Sequence, residues 1–190
     1  MESFWIFGFG SLMWRPGFDY EERNSAVLKG LHRALCVYSH VHRGTPEKPG
    51  LVMGLDRGGS CHGVIQRVAG KHAPERLDRL LRREMSVKPS TNRPRWVTVE
   101  SGGERKTAIA IAAHKDGFAY AGRHGLEETA AILARACGHW GSGAEYLMNT
   151  VAHLEALGIH DRYLWKLQAL VAEKIRASDG RDAAASFAAT

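Results

Sequence analysis

Glu84 carries the side chain of this chain best suited to proton transfer. The spacing predicts a helix over 74–85 in which Leu77, Leu80 and Leu81 mark the apolar face. Continuing the i, i+3, i+4, i+7 series lands on Glu84, so a carboxylate points where the core should be. Desolvation disfavours its charged form, and the partial negative charge of a helix C-terminal end acts in the same sense. A glutamate tuned in this way is a competent general base near neutral pH. The same spacing also fits a plainer arrangement, in which Glu84 lies at the edge of the stripe and pairs with one of the many nearby arginines.

A second chemical feature opens the chain, where Phe4-Trp5-Ile6-Phe7 runs into Gly8-Phe9-Gly10-Ser11-Leu12-Met13-Trp14-Arg15-Pro16-Gly17-Phe18. This reads as a strand delivering a glycine-spaced loop whose backbone N–H groups can approach an anionic or carbonyl oxygen. A dinucleotide fingerprint does not fit, because Met13 stands where the third glycine belongs. A hydrolase nucleophile elbow does not fit either, since Phe9-Gly10-Ser11-Leu12-Met13 is not G-x-S-x-G. A plain tight turn fits these residues as well as a ligand loop does.

These two features need a scaffold. Residues 26–42 mix apolar and basic side chains without a helical stripe and read as a long or interrupted strand, on which His40 and His42 alternate. Residues 43–50 are turn chemistry, 51–55 a short strand, and Asp56-Arg57-Gly58-Gly59-Ser60 a hairpin-type loop into a strand over 61–68. Pro74 takes a helix N1 position. Residues 95–100 and 106–113 form a hairpin around Ser101-Gly102-Gly103. Helices follow over 126–138, 143–157 and 161–177, with Gly158 as a C-cap and Asp161 as an N-cap. Strands first and helices mostly later predict an α+β fold in a single domain over 1–177, with a frayed tail over 178–190.

The 190 residues are 44% hydrophobic and 24% charged, an ordinary globular composition with a formal charge of +6. The basic residues are spread along the chain, and no nucleic-acid motif accompanies them, so neither nucleic acid nor membrane is expected as a partner. Three cysteines without metal spacing predict buried, reduced thiols, and the ten histidines share no ligand spacing, so no metal is expected. The apolar opening is too short to span a bilayer and lacks a basic n-region, which predicts a soluble cytoplasmic protein.

The residue blocks Phe7–Phe18, Arg43-Gly44-Thr45-Pro46-Glu47, Leu55–Val64 and Arg83-Glu84-Met85 closely resemble the ChaC family of glutathione-specific γ-glutamylcyclotransferases. Tyr146-Leu147 and Gly158-Ile159-His160-Asp161 look like that family's later blocks, and the match runs over about 4–175. The resemblance implies the γ-glutamylcyclotransferase-like fold, a small mixed β-barrel with flanking helices. It implies cleavage of glutathione to 5-oxoproline and cysteinylglycine without metal or organic cofactor. It makes Glu84 the acid/base and places the γ-glutamyl moiety against Phe9, Gly10, Ser11, Leu12, Met13 and Trp14. The chain departs from the family at Phe9, where relatives carry tyrosine, and less typically over Ser86–Pro94.

The implied reaction is an intramolecular cyclisation in which Glu84 deprotonates the substrate's α-amine and later protonates the leaving nitrogen. Arg43 is a candidate for a substrate carboxylate, or else an ordinary loop arginine. Tyr146 stands on the polar face of the second late helix, which either meets the pocket or is solvated. Two other readings remain, a non-catalytic regulator of a cation transporter and a cyclotransferase for other γ-glutamyl compounds. Oligomeric state is not legible.

Overall fold

The computed structural model describes residues 3–188, with side chains described through Ser178. The chain forms two compact units, one of residues up to Val37 with Met53–Gly122, the other of Tyr38–Val52 with the chain from Arg123. Five strands close a barrel: β1 (Phe4–Gly8), β2 (Glu22–Ser39), β3 (Gly50–Val68), β4 (Asn92–Ser101) and β5 (Glu104–Ala113), in the order β1-β3-β2-β4-β5. β1 is antiparallel to β3, with Gly8 opposite Val64, and parallel to β5, with Ile6 opposite Ile109. The mixed α+β barrel is the fold class expected from the sequence.

The hairpin expected at 56–60 does not form. β3 is one continuous 19-residue strand, and its residues 64–68 pair with β1 instead of with its own first half. Gly58 and Gly59 have φ of 91° and 65°, values that allow a strand to bulge and twist without ending. The expected hairpin between β4 and β5 does form, with Ser101 opposite Glu104 across Gly102-Gly103. β2 ends at Ser39, so His40 and His42 lie beyond the strand instead of alternating along it, and the His42 ring stacks on Trp140 with centroids 3.8 Å apart. Cys36 and Cys61 are buried as expected, but Cys137 is exposed at the start of a short hairpin that the periodicity did not reveal, β6 (Cys137–Gly138) and β7 (Gly141–Ser142).

Helix α1 (Ala73–Glu84) matches the expected span, with proline in its first turn and Arg82 and Arg83 in its last. Exposed pairs Glu75–Arg79 and Asp78–Arg82 at i, i+4 line its solvent face, where screening by water leaves them little weight. Its apolar face closes a cluster of Ile6, Leu12, Phe18, Val68 and Leu80, flanked by Phe4 and Leu77. That cluster fixes the helix against β1 and against the loop after it, because side chains from all three interdigitate in one buried patch.

In the second unit α2 (Leu126–Arg135), α3 (Gly143–Ala156) and α4 (Arg162–Ala188) pack on one another. Ser142 caps α3 by accepting from the Glu145 N–H at 3.1 Å. The loop between α3 and α4 ends as the sequence indicates. Ile159 N donates to Leu154 O, Gly158 has φ of 70°, and Asp161 Oδ1 accepts from the N–H groups of Tyr163 and Leu164. α4 runs past the expected residue 177, and the side chains of the tail reading lie outside the described residues. No helix among the described residues is long and apolar enough to cross a membrane.

Candidate active site

The loop after β1 turns through a single 3₁₀ turn, Ser11–Met13, closed by Met13 N donating to Gly10 O at 2.8 Å. The N–H groups of Ser11 and Leu12 precede that first bond, so the turn itself does not use them. The carbonyls of the loop are held from behind by side chains. Arg33 Nε donates to Phe9 O at 2.6 Å, Gln66 Nε2 to Leu12 O at 3.2 Å, and Arg23 Nη2 to Met13 O at 3.0 Å. Arg83 Nη1 donates to Arg15 O and, at 3.0 Å, to Pro16 O. A backbone fixed through its carbonyls in this way can offer N–H groups to an oxygen without reorganising.

The side chains of Phe9, Leu12 and Met13 are buried. What these positions can show a ligand is therefore backbone. Ser11 and Trp14 are half-buried. Because the Phe9 ring belongs to the core, it is the backbone of that position, through its carbonyl, that is tied to Arg33. Close packing beneath the loop depends on Gly63 in β3, where a Cβ would collide with the Gly8 carbonyl oxygen and stand 2.8 Å from Phe7 Cζ.

Glu84 is the last residue of α1 and keeps 21% of its side-chain surface exposed. Burial pushes its pKa above the ordinary glutamate value, and the neighbouring Arg83 charge opposes that shift without cancelling it. Both sequence readings of Glu84 are therefore realised together. The carboxylate is largely desolvated, and its Oε1 also lies 3.3 Å from Arg83 Nε. The same guanidinium donates from Nη2 to Ser11 Oγ at 3.0 Å. Asn92 Nδ2 donates to Glu84 O at 3.1 Å, which fastens the end of α1 to the start of β4 and gives the atypical 86–94 segment a structural contact with this residue.

Arg43 and Tyr146 belong to the second unit. Arg43 Nη1 lies 3.0 Å from Glu145 Oε2 and 3.3 Å from Ser142 O, and its guanidinium sits 5.4 Å from the Tyr146 ring centroid. Arg43 does lie in a loop, but its side chain is only 16% exposed and is engaged by its own unit instead of standing free in solvent. Among the described residues no cluster of three or more His, Cys, Asp or Glu side chains is placed to hold a metal ion.

Sequence reasoning did not single out Arg33, Gln66 or Arg83 as site residues. For Gln66 a signal existed. Val64, Gln66 and Val68 share one face of a strand at period two, and a polar residue in that buried row needs a partner.

A sequence model described as ChaC-like protein matches residues 4–174. The chain is 32% identical over 158 residues to a glutathione-specific gamma-glutamylcyclotransferase of Escherichia coli, covering 83% of this chain and 68% of that one. It is 29% identical over 195 residues to gamma-glutamylcyclotransferase 2-3 of Arabidopsis thaliana, covering 98% and 97%. It is 31% identical to glutathione-specific gamma-glutamylcyclotransferase 1 of Mus musculus, covering 83% and 72%. In fold it is similar to the crystal structure of a yeast γ-glutamyl cyclotransferase specific to glutathione, with TM-score 0.81, 23% identity, and 91% and 97% of the two chains covered.

Proposed function

The chain belongs to the ChaC-like protein family, and from that premise we propose that it cleaves reduced glutathione to 5-oxoproline and L-cysteinylglycine, with Glu84 as the general acid/base. One observation carries the assignment of residues. A desolvated carboxylate with a raised pKa is joined, through one guanidinium, to a loop whose carbonyls are tied back.

The reaction needs no enzyme nucleophile. The loop holds the γ-glutamyl chain folded so that its α-amine approaches its own γ-carbonyl, an orientation effect worth on the order of several kcal/mol. Glu84 accepts a proton from the α-ammonium, and the freed amine attacks the γ-carbonyl to close the five-membered ring. The N–H groups of Ser11 and Leu12 stabilise the oxyanion of the tetrahedral intermediate. Glu84 then gives its proton to the departing amide nitrogen as the C–N bond breaks, and the ring nitrogen sheds its second proton to the freed Glu84 carboxylate and from there to solvent, releasing 5-oxoproline and the dipeptide.

This scheme is built on the first unit. Arg43 and Tyr146 take no step in it, and a substrate carboxylate at Arg43 would have to compete with Glu145. The family match runs through residues of both units, which supports reading 1–177 as one catalytic domain. A reduced thiol substrate suits the cytoplasm, where glutathione is kept reduced.

The test is incubation of purified protein with reduced glutathione, following both products by mass spectrometry with the Glu84→Gln variant alongside. Equimolar 5-oxoproline and cysteinylglycine, lost in the variant, is the expected result. Undiminished turnover by the variant would remove Glu84 from its role.

A further inference from the structure

A cavity of about 460 Å³ in the first unit is lined by none of the residues of the glycine loop and not by Glu84. It lies on β2, β4 and the adjoining parts of β3 and β5, and four cations border it: Lys29, Arg57, Arg95 and Arg105. A single carboxylate, Glu100, lines it, and that group is already paired with Lys29 at 2.8 Å. Arg105 stands directly opposite Glu100 in the β4–β5 register, yet no ion pair joins them among the described residues.

Three guanidinium groups thus share one concave space with a neutralised carboxylate, which accounts for half of the chain's formal excess of +6. Like charges focused in a cleft with low-dielectric walls repel one another and raise the local concentration of anions. Guanidinium forks match the tetrahedral oxygens of phosphate in bidentate geometry. Val27 and Val97, both partly exposed, give the cleft an apolar strip beside Thr98, with Leu28 and Leu31 buried behind it, and the volume falls in the range of small-molecule sites.

We propose that this cleft is a second ligand site, separate from Glu84, that takes a phosphorylated small molecule of the nucleoside polyphosphate class. Its arginines hold the phosphates and its apolar strip receives the uncharged body.

Titration calorimetry with ATP in chelator, at about 0.15 M salt to suppress weak surface electrostatics, tests the site directly. The expected dissociation constant is about 100 μM or tighter, rising about tenfold or more in Arg95→Gln/Arg105→Gln. Inorganic phosphate should bind more weakly than ATP, and adenosine without phosphates should not register. Arg57→Gln provides an independent variant on a different strand, and circular dichroism confirms that each variant is folded. Glu84→Gln should bind ATP as the unaltered protein does, so the result stands apart from the fate of the proposed glutathione reaction.

Absence of ATP binding, or binding indifferent to all three arginines, overturns the proposal. So does displacement of ATP by reduced glutathione, which would make the cleft part of the substrate site. Tighter binding of a single-stranded oligonucleotide than of ATP, lost with the same arginines, overturns it in favour of a nucleic-acid surface.

Discussion

Arg83 Nε lies 3.3 Å from Oε1 of Glu84, its immediate neighbour in sequence. Adjacent residues within a helix point about 100° apart and do not face one another. This pair meets although both residues are helical, Glu84 being the last residue of α1, because the long arginine side chain can swing its guanidinium across the gap. The guanidinium so placed also bonds Ser11 Oγ and the carbonyls of Arg15 and Pro16. Glu84 and the glycine loop are thereby held by one cation.

The pH dependence of turnover should report that cation. Glu84 must be ionised to accept the substrate proton, so kcat/KM rises with pH through its raised pKa, and the acid limb lies above the ordinary glutamate range. Arg83 holds that pKa down against burial. Arg83→Gln should therefore move the acid limb to higher pH, besides lowering kcat/KM by about tenfold through the loosened loop. A lower rate with an unmoved limb would assign Arg83 a packing role only.

Glu84→Gln should lower kcat by about 10²- to 10⁴-fold, the ordinary contribution of a positioned acid/base. It should also change stability in a pH-dependent direction. With the folded pKa raised, the native state binds more protons than the unfolded state between the two pKa values, so stability falls as pH rises through that window. A neutral glutamine escapes that loss. The variant should melt above the unaltered protein at neutral pH, and the gap should close near pH 4. Melting curves across pH measure it, and a lower melting temperature at neutral pH would contradict the desolvated carboxylate.

Gln66 is fully buried, donates to Leu12 O, and leaves its own Oε1 without a partner. Gln66→Leu removes that orphan oxygen while freeing the Leu12 carbonyl, so the two effects oppose and stability should change by about 1 kcal/mol or less. The loop nevertheless loses an anchor. KM for glutathione should rise by about threefold or more while the melting temperature barely moves. Steady-state kinetics beside thermal melts separate the two, and an unchanged KM would show that the loop holds its shape without Gln66.

Gly63→Ala places a methyl against the Gly8 carbonyl and the Phe7 ring, both in the closed barrel directly before the loop. Neither neighbour is a flexible side-chain end. The expected cost is about 1–3 kcal/mol or more of overpacking strain, which for a chain of this size lowers the melting temperature by about 2–4 °C per kcal/mol. An unaffected melting temperature would mean that the β1–β3 pair can open at no cost.

Several features were legible because they depend on a few neighbouring residues. The 3.6-residue period of Leu77, Leu80 and Leu81 fixed the phase of α1 and put Glu84 at the edge of the core. Gly102-Gly103 and the Gly158 to Asp161 segment specified a hairpin and a helix boundary through backbone chemistry that operates over three or four residues. The sequence blocks carried the family resemblance, and with it the fold.

Tertiary structure alone decided the rest. Gly58-Gly59 has the composition of a two-residue turn, yet it lies inside the continuous strand β3, whose residues 64–68 pair with β1. Whether Glu84 was buried or arginine-paired was open in the sequence, and the end of α1 allows both at once. The anchors of the glycine loop come from residues 10 to 72 positions away, with Arg23 on Met13, Arg33 on Phe9, Gln66 on Leu12 and Arg83 on Ser11. Local periodicity determines which way a side chain points from its own element. Which carbonyl or carboxylate it then meets depends on closing the barrel, and no local pattern encodes that distance.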